Sequence, residues 1–501
     1  MTILELIVFL PIVGALAVAF GSPARFTALG ASVITALLAL FAAARFQTSV
    51  EGTYQFSSSR ALLDVDGFPE LSLAFGLDGI SLVLVLLTVL VLVAAILAAP
   101  AEEKITGSPR LYYLSCLLIA GGAIGAFAAT DLFFLYAFHE LALIPTFLMI
   151  GLYGKGENRL RTAWTITIYL GVGSIILLAG LITAVVGLGG DTFAIADLAA
   201  RAGDPEGAMS PALQNTVYLL LLVGFGSLVS LFPFHAWAPP AYAQAPTPVT
   251  MLHAGVLKKF GLYGLVRVAQ PLAPDGAEHF SQLVLVLLLG NILYIGLVTI
   301  AQKDLERMLA YSSVMHMGYV FLGIISGTAI GMAGAVLLMF AHGVSIALLF
   351  ALAGSLRDRF GPLTISRLGG LTSLVPRLGL LFGFAAFASI GLPGFANFAA
   401  EVMVFFGAFS RFEGGLGWFQ WTTILALWGV VISAVYMLRA YRSIFQGSPD
   451  QSLGSPAPMR MSETVPALIL LVSLLATGFL PELLVRYIRP AIDAMNLLAA
   501  G

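Results

Sequence analysis

Apolar runs long enough to cross a bilayer follow one another along almost the whole chain, separated by short polar stretches. A spanning helix needs about 20 apolar residues, and on that rule about fourteen spans are predicted. They lie near 3–20, 25–46, 77–99, 111–129, 131–153, 162–188, 213–235, 246–270, 280–301, 308–328, 331–354, 375–410, 419–444 and 463–485. The twelfth run is too long for one straight helix. Gly391–Leu392–Pro393–Gly394 should divide it, because proline has no N–H to donate and glycine tolerates the turn. Pro233, at the end of the seventh run, predicts a second broken helix. The two breaks lie five spans apart, and an odd offset gives the two blocks opposite topology, the pattern of inverted repeats around a transport path. The expected architecture is therefore an all-α polytopic membrane protein of about 14 helices with two inverted five-helix repeats, each with a broken helix. Its expected divisions are 1–110 (helices 1–3), 111–270 (helices 4–8), 271–445 (helices 9–13) and 446–501 (helix 14 and a tail).

Composition agrees. Hydrophobic residues make up 59% and charged residues 10% of 501 positions, where a soluble domain carries about 25% charged residues. The mean hydropathy is +0.98. Ile3–Phe20 resembles a signal peptide in its apolarity, but Glu5 stands where a basic flank belongs, so an uncleaved first helix is expected. Cys116 is the one cysteine, which excludes an internal disulfide, a thiolate cage for an iron–sulfur cluster and a CxxC zinc site. No glycine-rich nucleotide fingerprint opens a helix.

The net charge of −2 says little; its sorting between loops says more. Alternate loops are basic. One side receives Arg25, Lys104, Arg110, Lys155, Lys303, Arg357 and others, about fifteen Lys and Arg against about seven on the opposite side. The opposite side also holds most acids, among them Glu51, Asp64, Asp66, Glu70 and Asp191. By the positive-inside rule both termini should face away from the cytoplasm.

Few ionisable residues remain at membrane depth: Glu140, Lys258, Lys259 and Glu401, with His139, His235, His253, His316 and His342. Intramembrane carboxylates and lysines are expensive and default to function. Burial raises a carboxyl pKa and a nearby cation lowers it. At an effective dielectric near 20, a charge pair about 4 Å apart is worth roughly 4 kcal/mol, or about three pKa units. Making or breaking one such pair is enough to take up or release a proton. Lys258 and Lys259 are about 100° apart on a helix, and spacing does not choose between them. Imidazole titrates near neutrality and can pass a proton between its two nitrogens, so His316 and His342 suit relay positions; Ser312, one turn before His316, is expected to stack its hydroxyl under the ring. A metal site is disfavoured, since no two histidines lie at helical i, i+3 or i, i+4 spacing.

These residues sit in motifs that resemble the antiporter-like membrane subunits of respiratory complex I and its relatives, over roughly 100–445. The motifs are Glu140–Leu141–Ala142–Leu143–Ile144–Pro145 with Gly151–Leu152–Tyr153–Gly154, Phe234–His235–Ala236–Trp237 with Ala245–Pro246–Thr247, the run Gln302–Gly318, Ala341–His342–Gly343 and Leu392–Pro393–Gly394. Glu401, where L- and N-type relatives and antiporter subunits carry lysine, makes the chain look M-type. The resemblance implies that Glu140 is the fifth-span glutamate, Lys259 the central lysine, Glu401 the terminal carboxylate, His316 and His342 the relay, and His235 the histidine ending the seventh span. Lys258, His253 and His139 are auxiliary candidates. One departure stands out: the family places a lysine two turns before Phe234–Trp237, paired with the fifth-span glutamate, and this chain has Leu228 there. Either Lys258 or a neighbouring subunit replaces that cation, with His139 and His253 as further candidates for compensation, or this half-channel is altered.

The resemblance further implies a proton-translocating subunit of an NADH:quinone oxidoreductase in a bacterial inner membrane, beside L-, N- and K-type neighbours, meeting NADH and quinone only through the parent complex. No cofactor is expected in this chain, the flavin and iron–sulfur clusters residing on partners, and no nucleic acid is expected. The alternatives are a cation/proton antiporter or membrane-bound hydrogenase subunit of the same fold, and a spacer arm that does not pump.

Overall fold

The structure is a computed structural model that describes residues 1–48, 54–63, 65, 69–204, 206–411, 414–448, 454 and 456–500. Glu51, Asp64 and Asp66, named above among the acids of one side, lie outside the described residues. The chain runs α1 (Ile3–Ala19), α2 (Ala24–Arg45), β1 (Gln55–Leu63), β2 (Leu71–Leu77), α3 (Gly79–Ala98), α4 (Pro109–Ala128), α5 (Leu132–Tyr153), α6 (Arg159–Gly187), α7 (Ile195–Gly203), α8 (Pro211–Val229) and α9 (Ala238–Gln244). It continues through α10 (Thr247–Leu252), α11 (Lys259–Gly264), α12 (Gln270–Leu272), α13 (Pro274–His279), α14 (Ser281–Leu289), α15 (Gly296–Ile300), α16 (Leu305–Ile325) and α17 (Ala329–Phe360). The last elements are α18 (Leu371–Leu374), α19 (Pro376–Ile390), α20 (Ala396–Phe409), α21 (Trp418–Phe445), α22 (Met461–Phe479) and α23 (Glu482–Ala500).

Among the described residues, eleven helices are long and apolar enough to cross a membrane. The other predicted runs are the shorter α1, the halves α19 and α20, and the segmented helix α10–α12. Side-chain caps set where the helices begin. Asp78, Ser108, Asp131, Ser210, Asp304 and Thr328 each accept a backbone N–H from the first turn of the helix that follows, meeting a donor that would otherwise be orphaned.

The helical expectation gains one exception: β1 and β2 pair antiparallel within the predicted loop 47–76. This hairpin end also gathers the start of α1, where Glu5 meets Arg60 at 3.2 Å, and the α23 residue Tyr487, which donates to the Ala43 carbonyl at 3.1 Å. The tail expected after the last span is the helix α23. The predicted break at Pro233 begins earlier, since α8 ends at Val229 and Ser230 takes a left-handed conformation, with Leu231 N–H turning back to the Gly226 carbonyl.

Lipid tails are as apolar as leucine, so packing and hydrogen bonding hold such a bundle together. Large apolar side chains such as Trp164, Ile168, Ile175, Trp421 and Trp428 stay on its outside. α17 is the central element: it packs on α16, α19, α20, α22 and α3, and its spanning window is wholly buried.

Gly79 lets α23 close over the start of α3. A Cβ there would lie 1.6 Å from the Tyr487 carbonyl oxygen. Gly79→Ala should displace α23, lowering the thermal midpoint and exposing the C-terminal helix to limited proteolysis; an unchanged digest would refute this docking.

Candidate functional site

Lys258 and Lys259 are both fully buried. Between α10 and α11 the helix widens into a π turn at His253–Leu257. Lys258 N–H reaches back five residues to the His253 carbonyl at 3.1 Å. The Ala254 carbonyl, which that N–H would take in an α-helix, accepts the Lys259 ammonium at 2.6 Å. The second contact of Lys259 is His342 Nδ1, at 3.0 Å. Gly255 and Gly343 bring it within reach: a Cβ on Gly343 would lie 2.6 Å from the Gly255 carbonyl, so the two backbones touch where any side chain would hold them apart. An ammonium that donates to Nδ1 places the ring proton on Nε2. A proton passed from Lys259 to His342 leaves a neutral amine and an imidazolium.

Lys258 turns the other way, donating to Ser313 Oγ at 3.4 Å and lying 5.0 Å above the Tyr242 ring. Geometry thus decides what spacing left open: Lys259 faces the histidines, and Lys258 faces α16. No ion pair joins Lys258 to Glu140 among the described residues, which removes it as the cation for that carboxylate. The π turn is the reason, since it aims Lys258 away from α5.

From His342 the line continues to His316, whose ring centroid is 5.6 Å away. His316 Nδ1 faces the Ser312 carbonyl at 2.8 Å and Nε2 the Ser389 carbonyl at 3.1 Å. A neutral ring can donate to only one of them, whereas a ring carrying an extra proton donates to both. Ser389 is available because its α-helical partner would be residue 393, and Pro393 has no N–H. The Ser312 hydroxyl does not sit under the imidazole as expected. It bonds the Tyr436 hydroxyl at 2.6 Å, because the helix directs it toward α21 while its carbonyl serves the ring.

Glu401 is buried on α20 and folds over the helix break, its Oε2 lying 2.5 Å from where a Cβ on Gly391 would stand. Gly391 has a left-handed φ of 80°, so glycine supplies both the turn and the room. The carboxylate is within electrostatic reach of the Tyr319 and Tyr436 hydroxyls. Tyr319 packs edge-on against His316 at 5.8 Å. Asn397, one turn before Glu401, donates to Ser345 Oγ at 3.4 Å.

Glu140 stands apart from this line. Its side chain is 36% exposed and meets His139 Nδ1 at 3.3 Å and the Ser174 hydroxyl, which also bonds Tyr136. His139 stacks on Phe260 at 4.0 Å, so an aromatic ring lies between the Glu140 side and the lysines. Leu228 is buried and apolar. His253 Nδ1 lies 3.3 Å from the Tyr242 hydroxyl. His235 stacks beside Phe232 at 5.7 Å, its Nδ1 without a hydrogen-bond partner among the described residues.

Sequence reasoning missed Asn291, a lone amide in an apolar run. It sits fully buried in a π turn, accepts from Phe232 N–H at 2.7 Å, and donates to the Ser230 and Val314 carbonyls at 3.1 and 2.9 Å. It therefore holds the first helix break against α16. Tyr242, Tyr319 and Tyr436 were missed as well; their signal is a hydroxyl in an otherwise apolar span. Asn291→Ala removes three buried hydrogen bonds and should cost about 3 kcal/mol, read as a lowered thermal midpoint of the purified protein. A midpoint equal to the parent's would show that Asn291 does not hold the break.

Comparison with known proteins follows the same geometry. Residues 129–440 match the family described as NADH:quinone oxidoreductase/Mrp antiporter, TM. The NAD(P)H-quinone oxidoreductase chain 4 of Acaryochloris marina is 34% identical over 99% of this chain and 95% of its own length. That of Gloeobacter violaceus is 35% identical over 85% of this chain and 80% of its own. Among solved structures, a chain of respiratory complex I from Thermus thermophilus with bound NADH superposes with a TM-score of 0.87, 32% identity and coverage of 99% and 100%. A chain of the Mrp complex from Dietzia shares the fold at a TM-score of 0.82 and 19% identity, covering 99% and 97%. A polytopic helical chain with these motifs and matches along nearly its full length belongs to the NADH:quinone oxidoreductase/Mrp antiporter transmembrane family, in its NAD(P)H-quinone oxidoreductase chain 4 branch.

Proposed function

We propose that this chain is a proton-translocating membrane subunit of a complex I-type NADH:quinone oxidoreductase, with Lys259, His342, His316 and Glu401 carrying the proton. The observation that supports it most is the contact of Lys259 Nζ with His342 Nδ1 at 3.0 Å, with the His316 ring 5.6 Å beyond. Exchangeable groups thereby succeed one another through a bundle whose other buried residues are mostly apolar. Ser312 and Tyr436 extend the line toward Glu401, and His253 and Lys258 feed it from the other side. Each transfer leaves a charge behind that disfavours the next proton until the first has moved on, which is how a redox-driven charge shift elsewhere in a complex drives net movement here. Glu401 favours this reading over an antiporter, whose subunits carry lysine at that position in the family pattern.

In this account the halves 111–270 and 271–445 are inverted repeats, a reading supported by the paired breaks at Ser230–Pro233 and Gly391–Gly394. The chain binds no redox cofactor of its own; flavin and iron–sulfur clusters belong to partner subunits, and L-, N- and K-type membrane subunits are its neighbours. It sits in a bacterial inner membrane with the hairpin end outward. Glu140, without a lysine at position 228, takes its cation from a neighbouring subunit. Its partial exposure beside the outward-facing Ile144 supports that placement.

In the purified complex reconstituted in vesicles, Glu401→Gln should lower the proton-to-electron ratio while the complex still assembles and reduces quinone. An unchanged ratio would eliminate Glu401 as a carrier. Glu140→Gln should weaken pumping and also loosen association with the neighbouring subunit on blue native gels; tight association with normal pumping would make Glu140 a packing residue.

A further inference from the structure

At the end of the bundle opposite the hairpin, Glu306 opens α16 with a side chain only 1% exposed and carries two cations: Lys155 Nζ at 2.7 Å and the Arg357 guanidinium. Arg307 on α16, Asp304 capping it, Asp358 on α17 and Glu157 on the loop after α5 are the other charged groups around it. We infer that this cluster is where protons are taken up from the basic face and handed, through Tyr242 and His253, to Lys258. The inference rests on the proton-translocating reading above and adds the intake site and its path.

The cluster borders a cavity of about 340 Å³ lined by Lys155, Glu157, Gln244, Asp304, Arg307 and Arg357 among others, room for roughly ten water molecules at about 30 Å³ each. Gln244 Oε1 and Arg357 Nε are buried there without a hydrogen-bond partner among the described residues, and such atoms call for water. Of the two cations on Glu306, arginine does not give up its proton. The releasable proton is therefore that of Lys155. Burial, with Arg357 beside it, pulls this ammonium down to about 7, against the opposing pull of Asp358 and Asp304. Below pH 7 it is mostly charged and above it mostly neutral, so it loads and unloads near the pH of the basic face.

Ala243 and Gln244 of the cavity lining follow Tyr242 directly in the chain. Lys155 N–H donates to the Gln244 carbonyl at 2.6 Å, fixing the loop on the end of α9. Two residues earlier, Tyr242 is buried with its hydroxyl 3.3 Å from His253 Nδ1 and its ring beneath the Lys258 ammonium. The Tyr242 hydroxyl passes its proton to His253 and takes in exchange the one that Lys155 releases. His253 reloads a neutral Lys258, and Lys155 regains a proton from the cavity. The cluster ends each cycle as it began.

The test is Lys155→Arg in the reconstituted parent complex, with the pH of the basic face varied between about 6 and 8.5. Arginine keeps the pairing with Glu306 but holds its proton throughout. Pumping should fall at least about tenfold, and the wild-type inflection near pH 7 should disappear. A structural clamp would leave both rate and profile as in wild type, and that outcome would overturn the inference. Should Lys155→Arg fail to assemble, Tyr242→Phe decides: it keeps the ring under Lys258 and removes only the hydroxyl, so slowed pumping supports the path and wild-type pumping overturns it. Glu401→Gln run in parallel separates the two claims. If it blocks pumping while the Lys155 and Tyr242 variants are silent, the intake site is wrong and the wider reading stands; if Glu401→Gln is itself silent, the wider reading fails first.

Discussion

Two adjacent ammonium groups enclosed in an apolar bundle are the constraint on which the rest of this structure depends. A charge at the centre of a membrane costs at least about 2.5–3.5 kcal/mol even in lenient settings, so each lysine must be solvated by the protein. One local distortion serves both. The π turn at His253–Leu257 offers the Ala254 carbonyl to Lys259 and swings Lys258 to Ser313. The Gly255 and Gly343 backbones then approach closely enough for His342 to receive the Lys259 ammonium. The distortion that solvates the charge also sets Lys259 against His342.

The two broken helices work in the same way. A proline strips a hydrogen bond from the carbonyl four residues before it, and in hydrocarbon that carbonyl must find another donor. At Pro393 the carbonyl is that of Ser389, and His316 answers it. At Pro233 the chain has already turned at Ser230, and Asn291 and Trp237 tie down the carbonyls of Ser230 and Ser227. One break frees a carbonyl that His316 meets; the other is locked against α16.

Much of this was legible in the residues themselves. Ionisable side chains are so rare at depth that Glu140, Lys258, Lys259, Glu401 and five histidines could be singled out before any contact was known, and the family pattern then pointed to Lys259, His342 and His316 and marked Leu228 where the partner of Glu140 is missing. Which lysine faces the histidines was not legible, because the answer depends on a one-residue widening of the helix that no spacing rule encodes. Asn291 escaped because one amide in an apolar run carries no periodicity. The hairpin β1–β2 was hidden within a long polar loop with weak alternation. Glu306 escaped for a different reason: Gln302–Arg307 reads as an ordinary charged loop, and only the fold shows that Glu306 is enclosed while Lys303 and Arg307 stay at the surface.

The most direct measurement of the central claim is the proton-to-electron ratio of reconstituted complex carrying Lys259→Arg. Arginine preserves a positive charge beside His342 but cannot release its proton near neutral pH. If Lys259 is a carrier, the ratio falls while quinone reduction persists. A ratio equal to wild type would mean that the charge at this position matters and its proton does not, and the line through His342 and His316 would then not be the path.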